Sequence, residues 1–156
     1  SYLEYDFILP VIARAVNEQY NFPYEFITDV LNKIGVDEST PNAIVRGRIE
    51  PYLPNVLGSL YARIVRITKE KDADPYWVFI PHLRQSDQDK ATYLQLRKLA
   101  QKAGFEILDL SDAYDGTSPE ELKLAAWDAH PNATAHRMLA ARLYQLMKER
   151  GIGLAR

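Results

Sequence analysis

Proton transfer near neutral pH calls for a histidine with a partner, and of the three histidines in this chain His130 is the one placed for it. It lies in Trp127-Asp128-Ala129-His130-Pro131-Asn132, where a long irregular stretch meets a helix-forming one. A histidine just outside a helix N-terminus feels the positive end of the macrodipole, which disfavours imidazolium and keeps the ring available as a base. Asp128 works in the opposite sense. Its carboxylate can accept from one ring nitrogen, fix the tautomer, and stabilise the imidazolium that forms when the other nitrogen takes a proton. Pro131 biases His130 toward extended backbone, which partly sets the direction of the ring. Such a pair suits the activation of a hydroxyl nucleophile, although Asp-X-His spacing alone is also common in structural loops.

The other chemistry-bearing residues have plainer readings. His136 shares a helical face with Leu139 and Leu143 and reads as a packed or hydrogen-bonded helix histidine. His82 follows the C-terminal end of a predicted strand, the side on which open α/β sheets hold ligands, and is a candidate substrate contact as well as an ordinary loop residue. Asp128, His130 and His136 suit a metal by type, but the spacing shows no convergent set of donors, so neither a metal nor a cofactor is expected. The chain has no cysteine, which removes thiolate catalysis, disulfides and cysteine-based zinc sites. Ser111 and Ser118 lie in neither a Gly-X-Ser-X-Gly elbow nor a Ser-X-X-Lys motif, and loop capping accounts for both.

The run Asp128-Ala129-His130-Pro131-Asn132-Ala133-Thr134-Ala135-His136, with Met138-Leu139-Ala140 and Leu143 after it, resembles the last conserved block of the SGNH (GDSL-like) serine esterase, or acylhydrolase, family. In that family the block carries the catalytic histidine and acid just before the terminal helix, so the resemblance implies those roles for His130 and Asp128. Ile107 to Asp112 resembles the family's penultimate strand and loop, and Trp77 to Pro81 the strand before it. Two departures are visible. Many members place the acid three residues before the histidine, where this chain has Trp127, and the glycine usual before the second histidine is Ala135. No Gly-Asp-Ser motif occurs anywhere, nor do the glycine and asparagine blocks of the family's oxyanion hole.

In the family those blocks precede everything seen here. The resemblance therefore implies a C-terminal half, inactive by itself, whose serine is supplied by an N-terminal part of the same enzyme or by a complementing chain. It also implies ester substrates, with hydrolysis or acyl transfer as the reaction. The rival expectation is a non-catalytic interaction or binding module derived from such a half.

The elements that must position these residues emerge from periodicity. Apolar residues from Phe7 to Val16 recur at helical spacing around Pro10, and Tyr24 to Ile34 predicts a second helix closed by Gly35. Ser39-Thr40-Pro41 signals a helix start, Pro51 and Pro54 should break the helix begun there, and Val56 to Ile67 forms a further stripe. Pro75 to Pro81 reads as a parallel strand covered on both faces. A polar loop, a helix with Tyr93, Leu96 and Leu99 ended by Gly104, and a second strand over Phe105 to Leu110 complete a right-handed β-helix-β unit. Residues 111–131 read as a loop with one short helix at Ser118, and the last helix runs from about Asn132 to Arg150.

The expected fold class is α/β, a partial flavodoxin-like SGNH hydrolase fold with few parallel strands and many helices: residues 1–72 mainly helical, 73–156 the α/β part. At 156 residues, one core is anticipated. A net charge of −2 without a basic, aromatic-interleaved patch argues against nucleic acid. No apolar run approaches the roughly 20 residues of a membrane-spanning helix. The start, Ser1 to Asp6, lacks the basic region of a secretory signal, and nothing in the sequence assigns a compartment. Tyr20, Phe22, Tyr24 and Phe26 alternate around Pro23 and read as core or a docking seam.

Overall fold

The first apolar stripe forms helix α1, Leu3–Asn17, with Pro10 inside it. The computed structural model is mixed α/β and describes residues 3–153, with side chains from residue 8 onward. Phe7, expected in that stripe, falls outside the described side chains. Helix α2, Glu25–Ile34, ends at Gly35, whose φ of 60° is the left-handed cap that a residue without a Cβ adopts at no steric cost. Helix α3 spans Asn42–Ile49, and α4 spans Leu53–Lys69. A 3-10 turn over Glu50–Tyr52 joins them, so Pro51 and Pro54 break the chain as their missing N–H groups require. The Ser39 and Thr40 hydroxyls do not cap α3. Both donate instead to Asp37 Oδ1, at 2.7 and 2.9 Å, closing a tight turn ahead of Pro41.

The chain divides into two compact units between Asp72 and Ala73. Each unit has a buried cluster of its own. In the helical unit Leu9, Ile12, Ala13, Val16, Val45, Ile49 and Leu53 pack together, with Phe22, Val30, Leu31 and Ile34 against them. Each fully buried Leu or Ile of this kind contributes about 1.5–3 kcal/mol of transfer free energy. The amphipathic helices bury their stripes against one another, so this unit is satisfied without a sheet.

The second unit begins with strand β1, Tyr76–Phe79, which pairs in parallel with β2, Glu106–Asp109, in the register Tyr76 to Glu106 through Phe79 to Asp109. Helix α5, Asp87–Ala103, crosses between them. Ser86 and Asp89 close its start as a reciprocal capping box, and Gly104 at φ 101° ends it. Alternation sorts the side chains: Leu108 and Tyr76 share one face with Leu139, Leu143 and Leu146 of helix α7, Ala133–Glu149. Trp77 and Phe79, on the other face, meet Tyr93 of α5, Trp77 stacked on its ring and Phe79 tilted against it.

The expectation that β1 is covered on both faces is corrected. Val78 is 39% exposed and Ile80, just beyond the strand, 60% exposed. The reason is that the sheet holds only two strands among the described residues, so α7 shields Leu108 and Leu110 better than it shields the row on β1.

The stretch 111–131, expected to be mostly loop, is also more ordered than that. A short helix α6, Pro119–Leu122, capped by Ser118, leads directly into an antiparallel hairpin of β3, Lys123–Ala125, and β4, Asp128–Pro131. Only Ala126 and Trp127 form the turn, which has none of the Asn-Gly chemistry that marks a hairpin in sequence.

Candidate active site

The hairpin carries both residues of the proposed acid–base pair. Its ladder is irregular: Lys123 lies opposite Pro131 and Ala125 opposite Asp128, so two residues of β4, Ala129 and His130, face the single Leu124 of β3. This is the pattern of a β-bulge, which re-aims side chains. Regular alternation would put Asp128 and His130 on one face. With the extra residue, Asp128 stays half-buried, its side chain 20% exposed, whereas the His130 side chain is turned outward and is 85% exposed.

The two side chains still meet. Asp128 Oδ1 accepts the backbone N–H of His130 at 2.9 Å and lies 2.6 Å from His130 Nδ1. The His130 amide, and after it the imidazole, hold the Asp128 carboxyl below its ordinary value, so it is ionised at neutral pH. An ionised carboxylate can only accept, so Nδ1 carries the proton and the lone pair of the neutral ring sits on Nε2. No described residue hydrogen-bonds Nε2, which is the nitrogen that would take a proton from an incoming hydroxyl.

Asn132 anchors this arrangement. As N-cap of α7, its Oδ1 accepts from the N–H groups of Thr134 and Ala135, at 2.9 and 3.1 Å. Its amide nitrogen donates to the carbonyls of Glu121 and Lys123, at 2.8 and 3.1 Å. Four hydrogen bonds, two donated and two accepted by one side chain, thus join the end of α6, the first residue of β3 and the start of α7, two residues after His130. An asparagine before a helical run signals a cap, but its donor side could not be read without the hairpin.

The remaining candidates are not drawn into the pair. His136 is exposed, a correction to its reading as a packed residue: the buried face of α7 runs through Ala135 and Leu146, one position away. His82 is exposed in the segment after β1. The guanidinium of Arg84, two residues on, pairs with Glu120 and so ties that segment to α6. Ser118 accepts from the Glu120 N–H as a cap, and the Ser111 N–H donates to Asp109 Oδ1. Among the described residues no three His, Asp or Glu side chains form a group able to hold a metal ion, so Asp128, His130 and His136 do not converge as ligands.

A second polar cluster leaves no mark in the sequence. Tyr93 donates to Asp109 Oδ2 at the end of β2, and Arg97 lies 3.1 Å from the Tyr93 oxygen and 3.5 Å from Asp109. Burial, helped by the Asp109 charge, pushes Tyr93 up to about 12. Burial also raises Asp109, but hydrogen bonds from Tyr93 and Ser111 with the Arg97 charge outweigh it and hold Asp109 low. In the helical unit, Tyr20, Phe22, Asn32 and Asp37 line an open concavity of about 430 Å³.

No protein-family model, curated protein or solved structure matches the chain. Among the described residues no helix is long and apolar enough to cross a membrane.

Proposed function

We propose that this chain contributes the histidine and acid of an SGNH-type serine esterase, the serine coming from polypeptide outside these residues. The single observation that carries the reading is the 2.6 Å contact between Asp128 Oδ1 and His130 Nδ1, on a ring whose side chain is largely exposed two residues before the N-cap of α7. The resemblance of residues 128–143 to the family's last block, together with the parallel β1–β2 pair joined by α5, supports the same reading.

In this reaction His130 Nε2 takes the serine hydroxyl proton as the oxygen attacks the ester carbonyl. The carbon–oxygen bond to the alcohol then breaks, and the same proton passes from Nε2 to the departing alcohol oxygen. Water repeats the cycle on the acyl-serine, releasing the acid. Asp128 holds the tautomer and offsets the imidazolium charge at each proton transfer. No cofactor takes part.

The test joins residues 1–156 to the polypeptide that bears the serine and treats the whole with a fluorophosphonate. Labelling is expected, and His130→Ala abolishes it. Absence of labelling with the serine present would discard the esterase in favour of a non-catalytic binding module.

A further inference from the structure

The outward face of the β3–β4 hairpin carries more than the imidazole. The ladder residues Lys123, Ala125, Asp128 and Pro131 are half-buried, whereas Leu124, Ala129 and His130 are exposed, so Leu124 and His130 share one face. Leu124 is 61% exposed and Trp127, in the turn, 88% exposed. A tryptophan this open, beside an exposed leucine, forgoes the burial that normally stabilises such side chains, and neither helps close a core of its unit. Two large exposed apolar groups therefore stand on the same short hairpin as the His130 ring, Leu124 facing it across the bulge and Trp127 three residues before it.

The direction of proton transfer decides which part of a substrate reaches them. The proton on Nε2 goes to the leaving alcohol oxygen, so that oxygen must come within hydrogen-bond reach of the ring. The carbon skeleton attached to it is then brought to the surface around His130, while the acyl carbon stays on the serine supplied from elsewhere. We infer that Leu124 and Trp127 form the subsite for the alcohol portion of the ester and favour an apolar or aromatic alcohol there. The inference rests on the esterase reading and makes the hairpin tip a reader of the leaving group rather than of the acyl chain.

The experiment uses the serine-bearing polypeptide with two ester series. One holds the acetyl group constant and varies the alcohol from methyl through butyl and octyl to benzyl; the other holds methanol constant and lengthens the acid from acetyl to octanoyl. In the parent protein kcat/KM should rise along the alcohol series. Leu124→Ser with Trp127→Ala should reduce that rise by about ten-fold, read mainly in KM, and leave the slope of the acid series as in the parent. Both side chains are exposed, so the variant is expected to fold, and its circular dichroism checks this. A slope change in the acid series instead, or an unchanged alcohol series, overturns the inference. A parent protein that cleaves no ester and takes no fluorophosphonate refutes the esterase reading itself, a result distinct from either of these.

Discussion

The two units of the chain solve different problems. In residues 1–72 the apolar side chains are spent on one another: Val45, Ile49 and Leu53 are completely buried, and polar side chains such as Asn17 and Asp37 mostly close turns. In residues 73–153 the buried cluster is smaller, formed by Leu108, Leu110, Ala113 and Leu146, while a tryptophan, a leucine and a histidine stand open on a short hairpin. Packing that is complete leaves nothing for chemistry. The hairpin leaves the His130 ring unpacked and relies on hydrogen bonds for its geometry instead.

That contrast can be broken by substitution. The largest expected effect is Leu53→Ala in the helical unit, which should cost about 2–5 kcal/mol by opening a cavity in a fully closed site, measured by urea unfolding. A loss below ~1 kcal/mol would mean that this core is looser than its burial implies. Next, Asp128→Asn in the serine-bearing polypeptide should lower kcat roughly a hundred-fold by releasing the imidazole tautomer, with unfolding free energy unchanged within about 0.5 kcal/mol. An equal loss of stability would put the pair in the structural class occupied by Asn17 and Asp37.

Asn132→Ala should cost about 1–2 kcal/mol, since both its cap and its two carbonyl partners are lost, and amide exchange should quicken at Thr134 and Ala135. The smallest effects are those of pH. Asp128 is held below its ordinary value, so its contribution is present above about pH 4 and fades as pH falls through its lowered pKa. The His130 amide should lose exchange protection in that acid range, and Asp128→Asn should remove the dependence. Tyr93 is raised, so its contribution is full below about pH 10 and is lost as pH rises through about 12. Tyr93→Phe should abolish that alkaline step in a thermal-melt series.

Legibility in the sequence tracks locality. Helix ends marked by Gly35 and Gly104, the strands near Trp77 and Ile107, and the Asp128–His130 couple all depend on neighbours a few residues away, and each is readable from spacing. The hairpin is not, because its turn of Ala126 and Trp127 lacks a glycine or asparagine and Pro131 argues against a strand. Without the hairpin, the outward placement of Leu124 and the donor side of Asn132 have no visible cause. The Tyr93–Arg97–Asp109 cluster joins a helix to a strand end and needs the pairing of β1 with β2, a long-range fact that periodicity does not contain.

Asp128 Oδ1 grips both the amide and the ring of a residue only two positions away, so the couple closes a loop of three residues and owes almost nothing to distant chain entropy. A pair assembled at such short range behaves as a cassette: the segment from Glu121 to Ala135 carries its own brace in Asn132, and transplanting it ahead of a helix in an unrelated scaffold should carry the oriented imidazole along with it.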